Sequence, residues 1–426
     1  MNRRTFGAEM SALLLSGLLP RRLEEESRWL EWVSEPVSAG YWKKIRHEFL
    51  VPDDIAYLNN GSLGLSPRPV IEAIYRHLLE TESVKSRKYG DYPWWGYGPS
   101  LEIRKTLGDF IGAAAEEIAL TRNATEGINT VASGLDLNAG DEVLMTNQEH
   151  PGGRSAWYQR AKRYGILVKE FDLPFPPKSP AEILEKLEAA VTARTRVISV
   201  SHITTITGGI LPVKEICALA RRRGIVSLID GAHAIGQVPL DMHDIGCDYY
   251  ATSPHKWLYA PKGTGALYCR KGMAERLWCH TASGTWDKPE LGCERLGNVG
   301  TSNLTLLIGL VAAIDFHNRI GAARILSREN YLAQTLRSEL SQIKGVWFGN
   351  GAPPDLSAAM VKVMLPLQKL GQMADKLWED HKIWVTGAEA SDKLPPSIRL
   401  SCPIYLTEDD LQRTVAILKQ ELTRSA

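Results

Sequence analysis

The sequence predicts an α/β protein, with a mostly parallel β-sheet flanked by helices in a large domain and a smaller α+β domain after it. Three observations carry this. Apolar runs of strand length alternate with amphipathic helical stretches through the middle of the chain, which is the pattern of a parallel sheet covered on both faces. After about Phe316 the pattern changes to one long charged helix, short strands and a terminal helix. The chain has 426 residues, too many for one compact core. The expected divisions are an N-terminal leader or helix over 1–39, a segment over 40–66 packing with the small domain, a large domain over 67–317 and a small domain over 318–426.

Taken in order, the first element is Asn2-Arg3-Arg4-Thr5-Phe6, followed by a largely apolar stretch that ends at Leu18-Leu19-Pro20. A twin-arginine pair before a mildly apolar segment resembles a Tat export signal and predicts a periplasmic protein. Glu9 interrupts the apolar run and no A-x-A site follows. The alternative is therefore an amphipathic N-terminal helix on a cytoplasmic protein. The stretch is too short for an ordinary membrane span.

In the middle of the chain, residues 197–201 form a strand-length apolar run. Pro212 then opens a helical pattern that stops at Gly224, with proline early and glycine just past the end. Further strands are expected over 225–229, 248–252 and 265–269. In the C-terminal part, a charged helix is expected over 324–340, strands over 360–365 and 398–401, and a helix from Glu408. Thr407 precedes that helix as a cap, and its first turn is acidic.

Composition excludes several classes. A formal charge of +1 gives no global field for nucleic acid or an anionic membrane. Six cysteines are scattered without a C-x-x-C pair, so neither a disulfide framework nor a zinc site is expected. No G-x-G-x-x-G follows an early strand, which argues against a dinucleotide-binding domain.

In parallel sheets the ligand site lies beyond the carboxyl ends of the strands. Two such ends stand out. One strand runs into Asp230-Gly231-Ala232-His233, and another into Ser253-Pro254-His255-Lys256-Trp257. A carboxylate and an amine are thus delivered to one rim of the sheet. Pyridoxal chemistry needs that pair: an amine to form a Schiff base, and an acid group to keep the pyridine nitrogen protonated. Arg122-Asn123-Ala124-Thr125-Glu126-Gly127 precedes a helical pattern, and a helix N-terminus with small residues suits a phosphate.

These motifs, with Glu149-His150 and Gly300-Thr301, stand in an order that resembles the class V aminotransferase family of fold-type I pyridoxal-phosphate (PLP) enzymes. The resemblance runs from about Tyr57-Leu58-Asn59-Asn60-Gly61 to Arg399-Leu400-Ser401. It implies that Lys256 carries PLP as a Schiff base and shuttles a proton, and that Asp230 pairs with the pyridine nitrogen. It further implies that His150 stacks on the ring and assists acid–base steps, and that His233 sits beside the phenolic oxygen. Ala124, Thr125, Ser253 and His255 would hold the phosphate. Thr301 would reach the phosphate of a neighbouring subunit, making the protein a homodimer. Arg399 would grip a substrate carboxylate, with Asn60 also at the substrate.

The family's cysteine desulfurases carry a catalytic cysteine shortly before the carboxylate-binding arginine, but residues 385–394 contain none. The opening Asn59-Asn60-Gly61-Ser62-Leu63-Gly64 and the stretch Ser201-His202-Ile203-Thr204-Thr205 look more like the isopenicillin N epimerase-like branch. A Tat-exported member would also resemble the periplasmic pyoverdine-maturation enzyme. The expected reaction is amino-group transfer on an amino acid or peptidic substrate. Epimerisation and β-elimination or carbon–sulfur lysis are the alternatives, and a PLP-binding pseudoenzyme is the reading from another class.

Overall fold

The computed structural model describes residues 32–38, 40–82, 100–174, 176–349, 356–364, 370–388 and 396–424. The twin-arginine segment lies outside these residues. The strands are β1 (Ala56–Tyr57), β2 (Ile118–Thr121), β3 (Glu142–Thr146), β4 (Leu167–Phe171), β5 (Thr195–Ser201), β6 (Val226–Asp230), β7 (Tyr249–Thr252), β8 (Gly265–Cys269), β9 (Trp347–Phe348), β10 (Met360–Met364), β11 (Ile383–Trp384), β12 (Thr386–Ala388) and β13 (Ser397–Ser401).

Seven of them form one sheet in the order β2-β8-β7-β6-β5-β3-β4. Strands β3 to β7 pair in parallel, while β8 runs antiparallel to both β7 and β2. The mostly parallel sheet is as expected; the reversed strand was not foreseen. Its interior strands are apolar on both sides because both faces are covered. Leu144, Ile198, Val200 and Ile229 face one core. Their sequence neighbours Val143, Val197 and Leu228 face the other, as a two-residue period demands.

The helix Val213–Arg222 starts after Pro212 and ends before Gly224, matching the proline–glycine signal. Helix Leu304–Ile320 packs along Arg68–Thr81, and Ala322–Ser341 is the long charged helix. A four-stranded sheet, β12-β13-β10-β9, makes the second layer of strands. Its antiparallel register sets Arg399 directly opposite Lys362. The terminal helix Glu408–Arg424 begins with a reciprocal cap: Asp410 N–H donates to Thr407 Oγ1, and Thr407 N–H donates to the Asp410 carboxylate, both at 3.1 Å.

Residues of segment 40–66 contact the C-terminal part. Strand β1 pairs with β11 in parallel. Phe49 packs on Tyr405 and Tyr259 with ring centroids 4.5 and 5.4 Å apart. From there the chain passes under the end of the large sheet. Gly64 N–H donates to the His255 carbonyl at 3.0 Å, and Asn60 Nδ2 donates to the Lys256 carbonyl at 3.3 Å.

Candidate active site

Strands β5, β6 and β7 end side by side, with Ser201 registered on Asp230 and Asp230 on Ala251. Asp230 is the last residue of β6, and its Oδ1 accepts from Ala232 N–H at 2.9 Å. Lys256 follows β7 by one turn, and its Nζ lies 3.1 Å from His233 Nε2. Burial lowers the lysine pKa to about 8; Asp230 opposes the shift and Arg399 assists it. Carboxylate and amine thus share one rim, as the sequence implied.

His150 is the N-cap of helix Pro151–Tyr164, where its Nδ1 accepts from Gly152 N–H at 2.9 Å. That bond places the proton of the neutral ring on Nε2. Desolvation, and then Lys256, hold its pKa below the usual histidine value. The expected acid–base role is narrowed accordingly: the neutral ring can donate from Nε2, but it has no free lone pair with which to act as a base. Behind it, Glu149 is buried and accepts from Ser201 Oγ at 2.6 Å and Thr146 Oγ1 at 2.5 Å. Burial, with a smaller contribution from Asp230, raises Glu149 to about 7.

The helix Ala124–Gly134 is capped by Asn123, whose Oδ1 accepts from Glu126 N–H at 2.9 Å. Thr125 is thereby free of capping. Ala124 N–H donates to Ser253 Oγ at 3.0 Å, which joins two of the expected phosphate residues. His255 needs a correction. Its Nδ1 faces the Thr264 carbonyl at 3.2 Å, so Nδ1 holds the proton and the neutral ring presents a lone pair at Nε2. It donates to a phosphate only as the imidazolium.

Arg399 is buried on β13. It donates from Nη1 to the carbonyl and hydroxyl of Thr205, both at 3.0 Å, and from Nη2 to Ser62 Oγ at 2.6 Å. Its Nε is buried without a partner, and no carboxylate pairs with it among the described residues. Burial lowers its pKa to about 10. Asn60 is the second correction. It is fully buried, with Nδ2 on the Lys256 carbonyl and Oδ1 accepting from the Tyr405 hydroxyl at 2.9 Å. It holds the lysine turn in place and leaves no amide group for a substrate. Thr301 is exposed in the loop before helix Leu304–Ile320, and no contact within the described residues joins it to this rim.

The sequence reading missed Ser62, Thr205 and Thr386, the hydroxyl partners of Arg399, although two of them stand in stretches quoted for the family branch. It also missed the glycine pair opening helix Pro151–Tyr164. A Cβ on Gly152 would stand 2.5 Å from Thr125 Oγ1, and one on Gly153 would stand 3.2 Å from Asp230 Oδ2. Glycine here lets three expected cofactor residues, Thr125, His150 and Asp230, converge on one helix terminus. Between them they offer an anion cradle, a ring donor and a carboxylate, which is the donor set a pyridine ring with a phosphate arm requires.

The family model for class-V aminotransferases matches residues 56–414. The chain belongs to the class-V aminotransferase family. Pyridoxal phosphate is the cofactor of this family, and the converging residues above fit it. Among class-V proteins, the isopenicillin N epimerase of Streptomyces clavuligerus is 33% identical over 391 residues, covering 87% of this chain and 96% of that protein. The apo cysteine desulfurase of Thermococcus onnurineus NA1 shares the fold, with a TM-score of 0.78, 23% identity, and coverage of 90% of this chain and 98% of that one. The cystine C–S lyase C-DES, solved with its product cysteine persulfide, gives a TM-score of 0.72 at 27% identity, covering 85% and 97% of the two chains.

The cysteine nearest Arg399 in sequence does not suit sulfur transfer. Cys402 follows Arg399 on the same segment but is fully buried, and burial pushes its thiol up to about 12.

Proposed function

We propose that this protein acts at the α-carbon of an amino acid or a peptidic amino-acid substrate, with inversion of configuration at that carbon as its net reaction. The observation that carries the reading is Arg399: a buried guanidinium without a carboxylate partner among the described residues, set over the segment that clamps the Lys256 turn. A substrate carboxylate supplies the missing charge, and the planar fork suits it. Bound PLP supplies an electrophilic aldehyde and an electron-accepting ring. Lys256, brought down to about 8, has enough free amine near neutral pH to attack and to take a proton from the α-carbon. Asp230 offers the carboxylate for the ring nitrogen, and Thr125, Ser253 and Ala124 form the anion cradle.

Inversion is favoured over persulfide chemistry by the missing thiol at residues 385–394. Near-full-length similarity to an isopenicillin N epimerase supports the same choice. Inversion also needs a second proton donor, on the face of the α-carbon opposite Lys256. Amino-group transfer, the outcome expected from the sequence, shares Lys256, Asp230 and Arg399 but differs in where the proton returns and in needing an amino acceptor. The test is product analysis in deuterated water with a panel of amino acids and short peptides. The expected result is the opposite enantiomer, deuterated at the α-carbon. Stoichiometric keto acid would replace inversion by transfer, and pyruvate would replace it by elimination. Lys256→Ala is expected to abolish every product and the visible absorbance of the bound cofactor.

A further inference from the structure

His233 has its two ring nitrogens engaged by unlike partners. Trp257 Nε1 lies 3.4 Å from His233 Nδ1, and Lys256 Nζ lies 3.1 Å from His233 Nε2. An indole N–H has no lone pair in the ring plane and only donates. Nδ1 must therefore accept, and a neutral imidazole that accepts at Nδ1 carries its proton at Nε2. An Nε2–H facing Nζ requires the lysine nitrogen to present a lone pair. An ammonium in that position would set donor against donor.

We propose that Trp257 is a positioning residue that fixes the tautomer of His233, so that the His233 Nε2–H holds the Lys256 nitrogen in its unprotonated form. The proposal deepens the functional reading above and rests on its assignment of Lys256 as the cofactor-bearing amine.

The surroundings support a fixed geometry. Trp257 is fully buried and His233 nearly so. Gln237 Nε2 donates to the His233 carbonyl at 2.7 Å. Gly236, at φ 83°, brings the same turn against the Trp257 backbone, where a Cβ would stand 2.6 Å from the Trp257 carbonyl oxygen. Burial, with the charge of Arg399 adding to it, keeps the His233 ring neutral. Among the groups acting on Lys256 itself, Asp230 favours the charged form while desolvation and Arg399 oppose it. The His233 donor adds to the opposing side.

The test is a pH titration of the visible band of the holoenzyme, whose midpoint reports protonation at the Lys256 nitrogen. In Trp257→Phe the imidazole is free to turn its lone pair to Lys256, and the midpoint is expected to rise by about one pH unit. In a His233→Gln background, Trp257→Phe is expected to shift nothing further, because the tautomer no longer exists. An unchanged midpoint in Trp257→Phe, or an equal shift in both backgrounds, would overturn the proposal and leave Trp257 as packing only. If Trp257→Phe does not fold, 15N spectra of histidine-labelled wild-type protein decide it, with His233 assigned by its absence in His233→Gln. A bare Nδ1 and a protonated Nε2 are expected, and the reverse tautomer refutes the idea. A wild-type holoenzyme with no Lys256-dependent band overturns the functional reading itself, a failure distinct from either of these.

Discussion

Lys362 is a buried cation facing Arg399 across the β10–β13 pair. Like charges directly opposite on antiparallel strands are unfavourable. Burial first, and Arg399 second, lower Lys362 to about 8. The unfolded chain holds this proton up to the ordinary lysine value, while the folded chain releases it near pH 8. Stability therefore rises with pH across that window, and the full cost is present below it. Lys362→Met, of similar length, is expected to raise the melting temperature at pH 7 and to flatten the rise between pH 8 and 10. The gain is on the order of 2 kcal/mol. Thermal denaturation of both proteins across that range checks this.

At the level of elements, the decisive contact is the one between segment 59–64 and the Lys256 turn. A Cβ on Gly64 would stand 2.1 Å from the Lys256 carbonyl oxygen, and backbone cannot yield as a side chain does. Gly64→Ala is expected to displace the turn and cut cofactor occupancy several-fold, with little change in helix content. Cofactor stoichiometry beside far-ultraviolet circular dichroism reads this out. Such contacts mark the boundary of what the sequence made legible. Asp230 and Lys256 were readable because each closes an apolar run of strand length, and a parallel sheet aligns such ends. The helix ending before Gly224 was readable from its proline and glycine. Asn60 was not, since only the fold shows that its amide meets the Lys256 carbonyl rather than a ligand. Nor were the tautomers of His150 and His255, which depend on a neighbouring amide and a carbonyl with no trace in residue type. The reversal of β8 escaped for a related reason: an apolar run buried on both faces reads alike in either direction.

At the scale of the whole molecule, Thr301 is the residue this chain leaves outside its own site. It is exposed, and Val299, two residues before it, is an exposed apolar side chain at 43%. We propose that this region meets a second copy and that Thr301 serves the partner's phosphate cradle. Light scattering is expected to give twice the chain mass of 47.2 kDa. Thr301→Ala is expected to lose cofactor faster on dialysis while remaining dimeric. An active monomer would contradict the proposal.

The hydroxyls on Arg399 come from three distant stretches: Ser62 before the large domain, Thr205 after β5 and Thr386 in β12. A carboxylate arriving at this guanidinium enters by exchange, because it displaces ligands already in place. Its apparent affinity is then a difference between two sets of hydrogen bonds, smaller than either. The hydroxyls are also cross-ties between the N-terminal segment and both sheets, so a carboxylate held at Arg399 would loosen those ties. Occupancy of that one side chain would in this way be coupled to the mutual freedom of the parts that frame it.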